Sequence, residues 1–268
     1  RQKLALITFL EKIRGAKEEI LSDCFELISN YDEINISPDD LAKVVMGYLS
    51  IILNRLADKN ANIVVWNNAG EKIEHVFGRQ ALPMAWDYAE VNVFSGVNGD
   101  WTANRDWVLY FLKNNKSESF TKAKACNQSA VDLQFKNNSL DAGITDPPYY
   151  DNVPYASLSD FFYVWLKRAV GEEFPELFST PLVPKSEEAI MEPARHQKKM
   201  EAKEFFEEML NRSFKEIHRV LKPEGVAVIV YAHKTTDGWE TILNGLVNSG
   251  FVITGSWPIH TEMKTRLR

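Results

Sequence analysis

The chain has 268 residues, 45% of them hydrophobic and 25% charged, with a formal net charge of −6 at pH 7. This composition indicates a folded globular protein with enough apolar residues for one large domain or two small ones. No apolar run approaches the roughly 20 residues of a membrane-spanning helix, so we expect no membrane partner. The negative charge argues against nucleic-acid coating by bulk electrostatics, although clusters such as residues 195–199 leave a local basic face open.

The cysteine pattern argues against both a disulfide framework and a zinc site. Cys24 and Cys126 are far apart, and neither belongs to a Cys-x-x-Cys pair. We therefore expect no bound metal and a reducing, cytoplasmic location. The chain begins with Arg1 and shows no secretory signal pattern, so we also expect a fragment of a longer protein. Nothing in the pattern indicates the oligomeric state.

The first 60 residues predict an α-helical hairpin. Apolar positions recur at helical spacing over residues 1–29 without an internal proline. A second helix should begin after Ser37, which can cap it, with Pro38 in the first turn, and should run to residue 59. We expect the apolar stripes of both helices to form a core or an interface.

Residues 61–113 predict a mixed connecting region. Residues 63–66 favour a short strand, residues 94–99 a glycine-containing turn, and residues 101–112 a helix. Residues 77–90 combine aromatic side chains, an arginine and two acids, which would suit a substrate-facing wall. A buried amphipathic helix with ordinary salt bridges is the open alternative for that stretch.

From Leu140 onward, strands alternate with helices in the order βαβαβ, which is typical of a parallel sheet with crossover helices. Residues 171–199 hold several prolines and few periodic apolar positions, so they predict an irregular excursion, either a lid or a plain surface loop. The expected elements are strands at 120–126, 140–145, 226–231 and 251–256, helices at 161–170, 200–221 and 239–248, and a tight turn at 222–225.

The strand at 140–145 ends abruptly in the run Asp146-Pro147-Pro148-Tyr149-Tyr150-Asp151. Prolines lack an amide donor and fix their own φ, so the backbone must leave the sheet there as a rigid loop. In open α/β sheets, ligands bind just beyond the carboxyl ends of the strands. These six residues, which we call the Asp146 loop, are therefore the predicted site.

The residue types of the Asp146 loop suit a planar substrate that carries an amino group. The Asp146 carboxylate and the Pro147 carbonyl are adjacent hydrogen-bond acceptors, and Tyr149 offers a ring for stacking. Acceptors that hold both N–H bonds would localise the lone pair of the amine, and such preorganised groups typically contribute about a few kcal/mol. A base in a duplex would first have to flip out, which costs roughly a few kcal/mol that stacking partly offsets.

The run Asp146-Pro147-Pro148-Tyr149 resembles the Asp/Asn/Ser-Pro-Pro-aromatic motif of S-adenosylmethionine-dependent amino-methyltransferases, which methylate exocyclic nitrogens of adenine or cytosine. The longer stretch 77–151, with Gly-Arg-Gln-Ala-Leu-Pro at 78–83 and the doubled tyrosine, looks like adenine-specific DNA methylases that carry a zinc ribbon. The likeness covers most of residues 60–268. It implies that Asp146 and the Pro147 carbonyl hold the target amine, that Pro148 keeps the loop rigid, and that Tyr149 stacks on the base.

The same resemblance implies S-adenosylmethionine as the cofactor, with Ser129, Ala130 and Asp146 as contacts. Residues 128–133 stand where related enzymes carry Gly-Asp-Ala-x-x-Leu, but Ser129 replaces the acid that contacts the cofactor adenine. The chain also lacks the Phe-x-Gly-x-Gly loop of related enzymes, the acid that holds the ribose, and the zinc ribbon. We expect the missing loop to precede Arg1.

These observations predict an α/β protein with an incomplete Rossmann-like methyltransferase sheet and an N-terminal helical segment. We expect the helical segment at 1–60, the connecting region at 61–113, and the methyltransferase core at 114–268 with its irregular insertion at 171–199. The expected activity is methyl transfer from S-adenosylmethionine to N6 of a flipped-out adenine in DNA. N-methylation of RNA or of a protein amide, and a nucleic-acid-binding module without cofactor binding, are the open alternatives.

Overall fold

The computed structural model describes residues 1–31, 36–78, 82, 84–86, 88–115, 123–151, 153–233 and 235–259. The chain divides into two compact units. The helical unit comprises Arg1–Lys122 and Pro154–Glu188, and the strand unit comprises Ala123–Val153 and Ala189–Arg268. The domain bounds expected from the sequence (1–60, 61–113 and 114–268) stay a prediction.

Five helices and one hairpin make up the described part of the helical unit. They are α1 (Gln2–Gly15), α2 (Lys17–Ser29), α3 (Pro38–Lys59), the antiparallel strands β1 (Trp66–Asn67) and β2 (Lys72–Ile73), α4 (Trp101–Asn114) and α5 (Tyr155–Val170). The predicted cap of α3 is confirmed, because Ser37 Oγ accepts the N–H of Asp40 at 3.1 Å. The single helix predicted over residues 1–29 is wrong, since it is interrupted at Ala16 directly after Gly15, a residue of low helix propensity.

Helix α3 forms the centre of the helical unit and packs against α1, α2, α4 and α5. Leu53, Leu56 and Ala57 have no exposed surface and anchor this core. The sequence predicts α5 as a crossover helix on the sheet. The structure packs α5 against α1 and α3 instead, because Phe161 and Trp165 join the apolar cluster around α3.

The stretch 77–90 is not the buried amphipathic helix that the sequence allowed. Its described residues form no helix, and Leu82, Met84 and Trp86 are exposed. Residues 79–81, 83 and 87 lie outside the described part of the chain. The alternative of a substrate-facing wall stays a prediction. The turn predicted at 94–99 and the helix that follows it are confirmed.

The strand unit is built on two parallel strands and two helices. Its elements are β3 (Leu140–Thr145), a 3-10 turn (Pro193–Arg195), α6 (Lys199–Val220), β4 (Leu221–Ile229) and α7 (Thr236–Asn248). Ala142 pairs with Val226, and Thr145 pairs with Ile229 at the carboxyl ends. Phe206 and Phe214 of α6 are almost completely buried in the core with Ile242 of α7.

Two predicted strands of the strand unit are wrong: residues 251–256 form no strand, and neither do the described residues 123–126 of the strand expected at 120–126. Residues 222–225, predicted as a tight turn, fall within the bounds of β4 but interrupt its pairing, since Leu221 pairs with Leu140 and Val226 pairs with Ala142. The described protein is therefore mixed α/β, with seven helices and a small sheet of two parallel strands in addition to the β1–β2 hairpin. A Rossmann-like sheet is not confirmed. None of the described helices is long and apolar enough to cross a membrane.

The two faces of the β3–β4 sheet differ in burial. Successive strand residues point to opposite faces, and one face is covered by α6, with the Gly143 backbone in close approach to Ile217. The opposite face, which we call the bare face, carries Ile144, Val226 and Val228, which are 78%, 60% and 46% exposed. Parallel strands are normally buried on both faces, so the described residues cover only half of this sheet.

Candidate functional site

The Asp146 loop leaves β3 where the parallel ladder ends. Val230 N–H donates to the Thr145 carbonyl at 2.9 Å, which is the last strand-to-strand bond before Asp146. The next residue along each strand is therefore Asp146 on one side and Tyr231 on the other. The strand predicted at 140–145 is confirmed, and its loop lies at the edge of the sheet where ligands bind in α/β proteins.

Two adjacent acceptors of the loop are without an internal partner. Asp146 is exposed and Pro147 is buried. Neither the Asp146 carboxylate nor the Pro147 carbonyl accepts a hydrogen bond from a residue that the structure describes. The Pro148 carbonyl, in contrast, accepts the N–H of Tyr150 at 3.2 Å and closes the loop on itself. The loop is thus fixed locally, the Asp146 carboxylate is exposed to a ligand, and the Pro147 carbonyl has no described donor.

Tyr149 and Tyr150 are held by different ring contacts. The Tyr149 ring meets Tyr231 edge to face, with centroids 5.3 Å apart and an angle of 82° between the planes. The Tyr150 ring packs in the same manner on Phe206, at 5.2 Å and 87°. Such edge-to-face pairs are worth about 0.5–1.5 kcal/mol beyond the area that they bury. Two neighbouring residues therefore tie the loop to β4 and to α6.

The backbone of Tyr150 is strained. Its φ of 56° lies in the left-handed region, which a bulky side chain adopts rarely. The Tyr150 carbonyl accepts the N–H of Met191 at 3.0 Å, and its ring also contacts His233 at 5.6 Å. Strain of this kind persists only when surrounding contacts impose it, and it is common at functional sites. Burial raises the pKa of Tyr150, so its hydroxyl stays neutral.

Tyr231 brings a buried phenol to the same place. Burial, followed by the charge of Asp151, raises its pKa to about 12, so the hydroxyl remains a donor at neutral pH. Its Oη has no hydrogen-bond partner among the described residues, although the atom is buried. An unsatisfied buried donor costs about 1–3 kcal/mol. Tyr231 is therefore a donor beside the loop without a described acceptor.

His233 and Trp239 complete the aromatic group behind the loop. The His233 ring stacks on Tyr231 at 6.2 Å, and Trp239 donates its Nε1–H to the His233 carbonyl at 3.0 Å. His233 Nδ1 accepts the N–H of Thr235, which leaves the ring proton on Nε2, 3.8 Å from Asp151 Oδ1. The sequence analysis missed Tyr231, His233 and Trp239. Their position just beyond the apolar run 226–230 was the signal, because both strand ends should flank a ligand.

Ser129 and Ala130 are exposed in a turn with local hydrogen bonds only. Ser129 Oγ accepts the N–H of Val131 at 3.4 Å, and the Ser129 carbonyl accepts the N–H of Asp132. Among the described residues, neither residue is joined to the Asp146 loop by a hydrogen bond or an ion pair. The following residues are fixed elsewhere, since Arg219 of α6 donates to the carbonyls of residues 133 and 135.

The residues present fit S-adenosylmethionine only in part. The exposed hydroxyl of Ser129 and carboxylate of Asp146 could accept hydrogen bonds from a ribose or an ammonium group. The described residues contain no glycine-rich loop at the end of a strand. They also contain no group of three side chains placed to ligate a metal ion. The arrangement therefore supports an amine-binding site more strongly than a cofactor site.

Comparisons of this chain with models of known families, with curated proteins and with solved structures gave no match. The likeness of the Asp146 loop to amino-methyltransferases therefore rests on the motif residues and on their placement at a strand end.

Proposed function

We propose that this protein transfers a methyl group from S-adenosylmethionine to the N6 amine of adenine in DNA, with the target base flipped out against the Asp146 loop. The proposal includes a Rossmann-like sheet to which β3 and β4 belong. One observation carries it: the Asp146 carboxylate and the Pro147 carbonyl are adjacent acceptors without a described donor, directly after a parallel strand.

The residues of the loop would act on the amine by holding it. One N–H would donate to the Asp146 carboxylate and the other to the Pro147 carbonyl. With both N–H bonds held, the nitrogen lone pair delocalises less into the ring. The cofactor, when bound, would supply an electrophilic methyl group and leave as the thioether, with the carbon–sulfur bond breaking as the carbon–nitrogen bond forms. The Asp146 carboxylate would stabilise the positive charge that develops on the nitrogen more strongly than it stabilises the neutral amine, until an N–H proton is lost to solvent.

The aromatic group supports this arrangement. The edge contact between Tyr149 and Tyr231 fixes the ring on which the base would stack. Stacking of a base on an aromatic side chain is worth about 1–3 kcal/mol, which offsets part of the cost of flipping. The strained backbone of Tyr150 is held by Phe206 and Met191, so the loop is preorganised before the substrate arrives.

Methyl transfer from tritium-labelled S-adenosylmethionine to DNA, RNA and protein, measured in parallel, tests the proposal. We expect Asp146→Ala to lower kcat on DNA by roughly a hundredfold or more, because it removes the side-chain acceptor at the reacting nitrogen. Asp141→Ala is the matched control: Asp141 is an exposed acid of the preceding strand that pairs with Lys222. Unchanged transfer to DNA by Asp146→Ala would contradict the proposal, and labelling of RNA or protein alone would favour N-methylation of those substrates.

A nucleic-acid-binding module without cofactor binding is the second candidate. The observation that favours it is the exposed, locally bonded turn at Ser129 and Ala130, where a cofactor contact is expected. Calorimetry with S-adenosylmethionine separates the two candidates. No heat of binding to a protein that still binds DNA would support the module, whereas binding that Ser129→Leu weakens would support the enzyme.

A further inference from the structure

The helical unit contains an open cavity of about 450 Å³ that is separate from the Asp146 loop in both sequence and unit. Asn54, Arg55 and Asp58 line it from α3, where spacings of three and four residues place side chains on one helix face. His75 and the aromatic residue Phe77 line it from the segment after β2, and α5 contributes Phe162. Its volume lies within the range of small-molecule sites, although the cavity is shallow and widely open to solvent.

The apolar wall of the cavity consists of fixed aromatic rings. Phe77 and Phe162 meet edge to face, with centroids 6.0 Å apart and planes at 71°. Phe77 makes a second such contact with Phe161, at 5.8 Å and 88°. All three rings pack against a buried cluster that includes Val64 and Val76. The wall is therefore preorganised for a planar ring, which stacks on aromatic side chains with little sequence preference.

Arg55 supplies an available cation beside this wall. Its side chain is exposed, and it forms no ion pair or hydrogen bond with any described residue. A planar guanidinium of this kind recognises phosphate and carboxylate groups with two parallel hydrogen bonds. Arg55 therefore favours an anionic group at one end of the ligand.

Asn54 supplies an amide that is without a partner. Its Oδ1 is buried and accepts no hydrogen bond from a described residue. A side-chain amide offers one acceptor and two donors, the combination that pairs with the edge of a nucleobase. Because an unsatisfied buried acceptor is costly, a ligand that donates to it would be favoured once the side chain turns toward the cavity.

Asp58, the acidic residue of the cavity, already has two hydrogen-bond partners. Asp58 Oδ2 lies 2.5 Å from His75 Nδ1, and Asp58 Oδ1 accepts the N–H of Val76 at 3.0 Å. An ionised carboxylate only accepts, so His75 carries its proton on Nδ1 and its Nε2 is left for a second partner. The negative charge of Asp58 is thus directed toward His75 and the backbone rather than left unpaired beside Arg55.

We propose that this cavity binds a nucleoside monophosphate unit. The base stacks on one of the rings of Phe77 and Phe162 and meets the other edge to face. Its edge bonds to the Asn54 amide, and the phosphate pairs with Arg55. The unit has two sources, a free nucleotide or one residue of a single strand, and the shared chemistry is a planar base with a phosphate. The proposal does not depend on methyl transfer at the Asp146 loop.

Calorimetric titration with 5′-AMP, adenosine and ribose 5-phosphate tests the assignment. We expect 5′-AMP to bind more tightly than either fragment, and Arg55→Gln to weaken 5′-AMP by about tenfold because a charge-assisted hydrogen-bond pair is lost. Adenosine binding should not change in Arg55→Gln, since it has no phosphate. Arg105→Gln is the matched control, an exposed arginine of the same unit that lies outside the cavity and pairs with Asp106. Equal weakening of 5′-AMP and adenosine, or no binding of 5′-AMP at millimolar concentration, would overturn the proposal.

An Asp146→Ala variant keeps this test distinct from the function proposed for the Asp146 loop. Retained 5′-AMP binding in Asp146→Ala with weakened binding in Arg55→Gln supports the cavity. The reverse pattern overturns it and assigns the nucleotide to the loop. A single-stranded oligodeoxyadenylate that displaces 5′-AMP identifies a strand as the source, and an oligonucleotide that fails to compete identifies a free nucleotide.

Discussion

The covered and bare faces of the β3–β4 sheet carry the same class of side chain in different surroundings. The covered face packs on α6, and its alternation continues beyond β4 into Tyr231, which joins the core with Ile229. On the bare face, Ile144 and Val226 are more than half exposed. A strand sequence therefore indicates which side chains favour burial, but it does not indicate which element covers them.

The largest expected effect lies in the core below the covered face. Phe206→Ala should lower the free energy of unfolding by about 3–5 kcal/mol. It removes a ring that has no exposed surface and on which the Tyr150 ring packs. Phe205→Ala is the control on the same helix, where the ring is only half-buried. Urea denaturation of both variants measures the difference. Similar losses for the two would mean that the core is not centred on Phe206.

Substitutions at the neighbouring positions Gly143 and Ala142 test the difference between the two faces directly. A Cβ at Gly143 would lie 3.3 Å from Ile217 Cγ2 on the covered face. We expect Gly143→Val to destabilise the protein by about 1–3 kcal/mol through overpacking. Ala142→Val, on the exposed opposite side, should stay within about 0.5 kcal/mol. Thermal unfolding of the pair checks this, and equal effects would remove the distinction between the faces.

The phenol of Tyr231 makes the covered side sensitive to alkaline pH. Its pKa is raised to about 12 in the folded protein, mainly by burial, so the folded state holds this proton more tightly than the unfolded chain, where the pKa is about 10. The resulting stabilisation is present below pH 10 and is lost as the pH rises toward 12. Between pH 10 and pH 12, the free energy of unfolding of Tyr231→Phe should fall by about 1–2 kcal/mol less than that of the parent protein.

Urea denaturation of the Tyr231→Phe variant at pH 8 and near pH 12 measures this difference. At pH 8 we expect the variant to be at least as stable as the parent, because it lacks the unpartnered buried hydroxyl. An identical alkaline loss in both proteins would show that Tyr231 is not the titrating group.

The smallest effect is expected on the bare face. Ile144→Thr and Val228→Thr should each change the unfolding free energy by less than about 0.5 kcal/mol, because both side chains are already exposed. Thermal unfolding at two protein concentrations is the measurement. A loss of more than about 1.5 kcal/mol would mean that another element or molecule covers this face in solution.

The sequence predicted local structure better than it predicted which elements pack together. The cap at Ser37, the strand at 140–145 and the start of the Asp146 loop follow from turn and strand chemistry within a few residues. The partner of α5 could not be predicted, because its aromatic stripe fits a sheet and a helix bundle equally well. Tyr231 and His233 were not predicted as site residues: their place after an expected parallel strand was a signal, but the sequence does not give the register that brings them beside Tyr149 and Tyr150.

The parallel register also sets when the candidate site can form during synthesis. Leu140 pairs with Leu221, so the partner of β3 is translated about eighty residues later, after the whole Pro154–Glu188 stretch of the helical unit. At a synthesis rate of about 5–20 residues per second, β3 and the Asp146 loop wait roughly 4–16 seconds for β4. Until then strand 140–145 is without the partner strand that it has in the folded protein.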